Sequence, residues 1–240
     1  MLAITPVLAS QAPSAALQRL AARKQQRETE AAVYKGSAIA ATVLLTSVAT
    51  FATYARIKWH MEGGGDFPVV DLAATLLLVF GGMVGMEMYA RYAHARWHDI
   101  PLLWKLHASH HVPRLGPFEL NDLYAVINAL PAMSLCAYGF LTDTLFGSMC
   151  FGLGLGITLF GISYVFVHDG MVHRRFPVGP LAEMPYFKKI TLAHQLHHSE
   201  KFGGVPFGLF LAAQELEAVG GKEELDRMMA LATQKQKQQA

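Results

Sequence analysis

Four long apolar stretches follow one another along the chain and dominate its hydrophobic pattern. They run over about 36–55, 69–90, 123–140 and 145–167. Each is close to the roughly 20 residues that a helix needs to cross the hydrocarbon core of a bilayer. The third stretch is the weakest, since it contains Asn128 and Pro131. The pattern predicts an all-α, multi-pass membrane protein with about four transmembrane helices.

Small residues recur along the fourth stretch, and glycine lets helix backbones approach closely in membranes. We therefore expect close helix contacts at Gly147, Gly152, Gly154, Gly156 and Gly161.

Polar segments flank this apolar region. Residues 1–33 form a leader with no acid before Glu28 and with its basic residues late. Such a leader is compatible with a transit-peptide remnant or with a flexible cytosolic tail. We expect 34–212 to form the membrane domain and 213–240 a peripheral C-terminal helix and tail.

Basic residues lie mainly before the first stretch, after the second and after the fourth. The basic residues of the opposite loops are only Arg56 and Lys58 in the first, and the second holds Asp143 but no basic residue. By the positive-inside rule, the N-terminus, the loop after the second stretch and the C-terminus face the cytoplasm or stroma.

Composition supports a membrane protein and excludes two other classes. Apolar residues make up 52% of the chain and charged residues 16%, against about 45–50% and 25% in soluble domains. The net charge of +2 and the lack of a dense basic run exclude a nucleic-acid partner. Cys136 and Cys150 are too few for a disulfide framework.

Histidine is the informative residue type, because ten of the eleven histidines form four short motifs. Only His60 stands apart. On the predicted topology all four motifs lie on the same side of the membrane, and the two halves look alike, each a helical hairpin followed by histidines. The motifs are His94 with His98; His107, His110 and His111; His168 with His173; and His194, His197 and His198.

The spacing brings most of these histidines onto shared helix faces, since residues three and four apart are neighbours on a helix. His168 and His173 are five apart, so they need a bulge or break, which Gly170 between them would allow. Imidazole suits iron, zinc, copper and nickel. Ten imidazoles exceed what one ion binds, so we expect two metal ions with a spare or hydrogen-bonding histidine.

Carboxylates and aromatic residues near the motifs have less specific roles. Asp122 and Asp169 are expected to hydrogen-bond or cap rather than to bind metal. Glu87 either faces the site or is an interfacial acid at a span end. Phe160, Tyr164 and Phe166 are candidates for the walls of a substrate site, although helix packing is the more common role of such residues.

The sequence resembles the β-carotene 3-hydroxylases of plants and algae, within the membrane-bound fatty-acid hydroxylase/sterol desaturase superfamily. The resemblance covers about 61–217. It rests on MEGGG at 61–65, VGMEMYARYAH at 84–94, the segment 107–132, FVHDGMVHRRFPVGP at 166–180 and AHQLHHSEKFGGVPFGLFL at 193–211. One departure is the first motif, in which His94 and His98 have three residues between them where the family usually has four.

This resemblance implies a di-iron monooxygenase in a plastid membrane, with all ten motif histidines as candidate ligands. Relatives hydroxylate C3 of each ring of β-carotene, through β-cryptoxanthin to zeaxanthin. They use dioxygen and electrons from ferredoxin and its reductase. The oligomeric state is left open, a homo-oligomer included.

Three alternatives stay open from the sequence. The first is an enzyme that oxidises another lipid, such as a sterol or fatty acid. The second is a protein that binds or transports metal without catalysis, and the third is a bis-histidine haem protein. Transport predicts metal-binding residues midway through the spans, and these apolar stretches lack histidine.

Overall fold

The computed structural model describes residues 15–239, and over that range the chain is helical with no β-strand. This confirms the predicted fold class. The α-helices are α1 (Ala15–Glu62), α2 (Val69–Asp99), α3 (Pro101–His107), α4 (Leu123–Leu141), α5 (Leu145–Tyr164), α6 (Pro185–His198), α7 (Ala212–Ala218) and α8 (Lys222–Gln239). A π-helical segment, Val165–Val172, continues α5.

Four helices are long and apolar enough to cross a membrane, as the sequence predicted. They are α1, α2, α4 with the short 3-10 turn before it, and α5 with its π-helical continuation. Pro131 lies inside α4 without ending it. Short turns connect α1 to α2 and α4 to α5, and the end of α1 contacts the second turn through Arg56 and His60. Both turns therefore lie at one end of the bundle and the histidine motifs at the other.

The predicted flexible leader overlaps α1, because residues 15–33 are helical. Their Ala, Leu, Arg, Gln and Glu content has high intrinsic helix propensity, which explains the difference. Residues 1–14 of the leader lie outside the described residues. The boundaries at 33 and 212 stay predictions.

Helix α5 lies at the centre of the bundle, because its glycines let the backbones of α2 and α4 approach closely. A Cβ added at Gly152 or Gly156 would overlap the main-chain oxygen of Thr75 or Val79 on α2. A Cβ at Gly154 would come within 2.7 Å of the Ala132 carbonyl oxygen on α4. Gly161 differs, since a Cβ there would meet nothing within 4 Å. Close packing was therefore predicted correctly for these glycines except Gly161.

A cluster of polar side chains connects the helices at the end of the bundle opposite to the histidines. Arg56 on α1 donates to the carbonyl oxygens of Gly139 and Thr142 and, at 2.8 Å, to Ser148 Oγ. The Ser148 hydroxyl donates to Asp71 Oδ1 at 2.6 Å. Arg56 thereby joins α1 to the α4–α5 turn and satisfies carbonyls at the end of α4.

The C-terminal segment forms two helices where the sequence predicted one. The turn between α7 and α8 contains Gly220, whose φ of +77° suits glycine. Leu216 and Leu225 are fully buried against Ala193 and Leu196 of α6. The C-terminal helices therefore support the helix that carries the last histidine motif; residue 240 lies outside the described residues.

Candidate metal centre

Nine of the ten motif histidines converge into two adjacent clusters. Within each cluster the candidate ligand atoms lie within 4.8 Å of one another. The first histidine cluster consists of His94, His98, His107, His111 and His197, and the second of His110, His173, His194 and His198. The rings of His111 and His198, one from each cluster, are 4.4 Å apart.

The two HxxHH motifs exchange their middle histidines. His107 and His111 belong to the first cluster, while His110 between them belongs to the second. In α6 the arrangement is reversed, because His194 and His198 belong to the second cluster and His197 to the first. In each HxxHH motif the first and last histidines, four residues apart, thus belong to one cluster, and the middle histidine belongs to the other.

His168 lies beside the second cluster without meeting the same mutual distance. Its ring is 4.7 Å from that of His110 and 4.6 Å from that of His173. The π-helical segment explains this approach, because the His173 amide donates to the His168 carbonyl at 2.9 Å, an i+5 bond. Gly170 does not break the helix; a Cβ there would collide with Phe176 and Val178.

The outer nitrogen of five histidines is held by an acceptor, which directs the other nitrogen into the clusters. This is how proteins orient metal-binding imidazoles. The Nδ1 pairs are His94 with Phe207 O (2.8 Å), His107 with Asn121 Oδ1 (2.8 Å), His110 with Glu119 Oε1 (3.2 Å), His168 with Asp169 Oδ1 (2.7 Å) and His197 with Gly204 O (2.5 Å).

The inner nitrogens fit a pair of metal ions. Those of His98, His110 and His197 are buried and have no hydrogen-bond partner among the described residues. Other inner nitrogens face each other at 2.9–3.3 Å. Two nitrogens bound to one ion at about 2.1 Å and about 90° apart are themselves about 3.0 Å apart. The donor set thus suits transition metals that imidazole binds.

Burial keeps several of these imidazoles neutral. Burial, together with the neighbouring imidazoles, lowers the pKa of His107, His197 and His198 to about 3 each. Burial and His98 lower the pKa of His111 to about 4. At neutral pH their lone pairs are therefore free to bind a cation, which a protonated ring would repel.

The two aspartates named from the sequence support the clusters through hydrogen bonds. Asp169 accepts from His168, as above. Asp122 makes a two-pronged ion pair with the buried Arg175, at 2.6 and 2.7 Å. Arg175 also donates to Glu119 at 3.2 Å, and Glu119 holds His110. Neither aspartate belongs to the two clusters.

Glu87 is buried, and it holds a loop rather than lying at the membrane interface as a free acid. Its Oε1 accepts the amides of Leu209 and Leu211 at 3.0 and 2.9 Å. Glu215 accepts the amides of Phe207 and Gly208 at 3.0 and 2.8 Å. Both carboxylates therefore fix the segment whose Phe207 carbonyl orients His94.

Replacing Glu215 with glutamine is expected to weaken metal binding about tenfold, the lower end of losses seen when partners of metal ligands are changed. Both carboxylate oxygens of Glu215 accept hydrogen bonds from backbone amides. The glutamine side chain has only one acceptor oxygen, so one of these bonds is lost. Metal release to a chelator measures the effect. Glu217→Gln, on the exposed face of the same helix, is the matched control. Equal release from both variants would contradict this role for Glu215.

A cavity of about 540 Å³ extends from the histidines between the spans. His94, His107 and His168 lie at its polar end, and apolar residues of α1, α2, α4 and α5 form most of the remainder. Phe160 and Tyr164 line it. Phe166 does not line the cavity; its ring lies beside that of Phe176, with the ring centres 6.5 Å apart. Positions 160 and 164 share a helix face, whereas position 166 is turned away from both.

Several supporting residues were missed from the sequence. Arg175 acts on His110 through Glu119, and Glu215 acts on His94 through Phe207, so neither is near its histidine in sequence. Asn121 lies 14 residues after His107. No spacing rule connects these residues to the histidines. His60, predicted to stand apart, lies at the opposite end, where its Nδ1 is 3.5 Å from Asp143.

Comparisons with known proteins agree with this architecture. Residues 79–214 match the family model described as fatty acid hydroxylase. The chain is 57% identical over 88% of its length to "Beta-carotene 3-hydroxylase, chloroplastic" of Haematococcus lacustris, and 52% identical over 87% to "Beta-carotene 3-hydroxylase 1, chloroplastic" of Arabidopsis thaliana. It spans 66% and 67% of those two proteins. A "Beta-carotene hydroxylase" of Pseudescherichia vulneris is 38% identical over 60% of this chain and 81% of that protein. No solved structure matches the chain significantly.

Proposed function

Because the chain belongs to the fatty acid hydroxylase family, we propose that it is a β-carotene 3-hydroxylase of a plastid membrane. It converts β-carotene through β-cryptoxanthin to zeaxanthin. The observation that carries this proposal is the apolar cavity that leads from the spans to His94, His107 and His168. The names of the relatives support the substrate and the compartment.

The cavity suits a rigid hydrocarbon. Its walls include Ala38 and Ala41 of α1, Ala90 of α2 and Ala129 of α4, whose small side chains leave room without adding polar groups. An apolar cavity with a few convergent polar groups at one end is typical of a site for an apolar ligand. A ring that enters from the bilayer would therefore reach the histidine end with its chain held between the spans.

Two iron ions, one at each histidine cluster, are the proposed cofactor. Hydroxylation of an unactivated ring carbon needs the dioxygen chemistry that bound iron supplies and that side chains cannot. The buried, neutral imidazoles would hold the ions, and the acceptors at Nδ1 would fix their orientation. Electrons would come from ferredoxin on the aqueous side, where the exposed Arg174 lies.

The protein's part in this reaction is to position the substrate ring and to keep water out of the site. The walls formed by Phe160 and Tyr164 would orient the ring beside the histidines and exclude water. The Phe207 carbonyl and Asn121 keep His94 and His107 in one tautomer each, so both inner nitrogens face the same volume.

The test is production of the protein in cells that accumulate β-carotene, followed by chromatography of the pigments. Zeaxanthin and β-cryptoxanthin are expected. Their absence from cells that contain iron-loaded protein would overturn the substrate assignment. Altered sterols or fatty acids in the same cells would favour another lipid, a Soret band in the purified protein would favour haem, and metal uptake into liposomes without oxygenation would favour transport.

Changing Gly161 to leucine is expected to reduce hydroxylation at least about tenfold while iron content and the melting temperature stay unchanged. Gly161 lines the cavity, and a Cβ there meets no protein atom within 4 Å. The added side chain therefore takes substrate volume without displacing a helix. Gly81→Leu, on α2 outside the cavity lining and equally open, is the control in the same pigment assay. Full activity of the Gly161 variant would place the substrate elsewhere.

A further inference from the structure

Tyr34 is a buried residue on a helix that is otherwise largely exposed. It is 8% exposed, and among the described residues of α1 only Ala55 is also buried. The Tyr34 hydroxyl donates to Asp169 Oδ2. Helix α1 lies outside the segment 79–214 that matches the family model, so that match gives Tyr34 no role.

Asp169 connects this hydroxyl to a histidine beside the second cluster. While Oδ2 accepts from Tyr34, Oδ1 accepts from His168 Nδ1 at 2.7 Å. Each carboxylate oxygen therefore has its own donor. Because the carboxylate is planar, a donor that fixes Oδ2 also fixes the direction in which Oδ1 meets the imidazole.

Arg175 is a competing partner for the same carboxylate. Its Nη1 is 3.7 Å from Asp169 Oδ2, beyond hydrogen-bond distance, while its strong contacts go to Asp122. The guanidinium lies 3.8 Å from the centre of the Tyr34 ring. Without the Tyr34 hydroxyl, Oδ2 would be free to turn toward this cation and draw Oδ1 away from His168.

The Tyr34 ring is also part of the substrate cavity. It lines the cavity together with His168 and Asp169, and Phe118 and Phe176 contact it with ring centres 6.0 and 5.9 Å away. The ring is thus held independently of its hydroxyl, so removal of the hydroxyl alone should leave the local packing in place.

We propose that Tyr34 is a positioning residue for the second metal ion: its hydroxyl fixes Asp169, which fixes His168 as a fifth imidazole beside the four of the second cluster. The proposal rests on the proposed function, because it assumes that this cluster holds iron. It assigns to α1 a part in the metal site as well as in the cavity wall.

The experiment compares Tyr34→Phe with the wild type in full-length protein loaded with iron. We expect iron release to a chelator to be about tenfold faster, the Mössbauer signal of one of the two irons to change, and kcat to fall with KM unchanged. Tyr54→Phe is the matched control, since Tyr54 lies on the same helix and is exposed. It should match the wild type in every measurement.

A double-mutant cycle with Asp169→Asn tests the route of the effect. If Tyr34 acts through Asp169, the Tyr34→Phe change should alter iron release little in the Asp169→Asn background. An effect of equal size in both backgrounds, or a Tyr34→Phe protein that behaves like Tyr54→Phe, would overturn the proposal.

Failure of the proposed function gives a different result, because the release measurement needs no carotenoid. Wild-type protein that holds two irons but leaves β-carotene unchanged would overturn the substrate assignment and leave the role of Tyr34 standing. Wild-type protein that binds no iron would overturn both.

Discussion

Replacing His110 with alanine is expected to abolish hydroxylation and to release the metal of the second cluster. His110 is buried, and its inner nitrogen has no partner among the described residues. Its loss leaves three imidazoles of that cluster. Changes to residues that only support metal ligands cost about 10- to 100-fold, so loss of a ligand should lower activity by more than about 100-fold.

The measurements are iron per chain by elemental analysis and zeaxanthin formed in β-carotene-accumulating cells. His197→Ala, which removes the corresponding histidine from the first cluster, should have the same effect on activity and release the other ion. His60→Ala is the control, since His60 lies at the far end of the bundle beside Asp143. Full iron content in the His110 and His197 variants would show that these residues are not ligands.

Changing Gly156 to leucine is expected to prevent the helices from assembling. Leucine has a higher helix propensity than glycine, so local preference favours the variant. The new Cβ, however, would overlap the Val79 carbonyl on α2, and backbone of a neighbouring helix cannot yield as a flexible side chain does. Overpacking of this kind costs about 1–3 kcal/mol and sometimes more, a large part of the stability of a small protein.

The yield of folded protein in detergent and its melting temperature measure this effect. Gly161→Leu gives the matched control, because it makes the same chemical change on the same helix at a position with open space. We expect the Gly156 variant to be lost to aggregation or proteolysis and the Gly161 variant to fold. Equal stability of the two would mean that α2 and α5 do not meet at Gly156.

Local features of the sequence predicted the architecture well. Hydropathy located the four spans because a bilayer requires a long apolar helix for each crossing. Charge in the loops and the spacing of the histidines then predicted one histidine-rich end. Even the five-residue spacing of His168 and His173, which does not fit an α-helix, correctly indicated an irregular segment.

Features that depend on the arrangement of whole helices could not be predicted in this way. The exchange of His110 and His197 between the clusters follows from how α6 lies against the turn after α3, and no periodicity encodes that. Asn121 accepts a hydrogen bond from His107, 14 residues away. Glu215 holds the nearby Phe207 amide, and only the Phe207 carbonyl reaches the distant His94. Phe166 was named with Phe160 and Tyr164 for its aromatic character, although its position on the helix turns it elsewhere.

The exchange of the middle histidines has a consequence for the order of biogenesis. When synthesis has passed His173, four of the five candidate ligands of the first cluster exist but only two of the four of the second. The three histidines of α6 complete both sites, because one joins the first cluster and two join the second. Ribosome-bound chains that stop before this helix should thus retain neither ion, which makes the capture of both ions a late step in maturation.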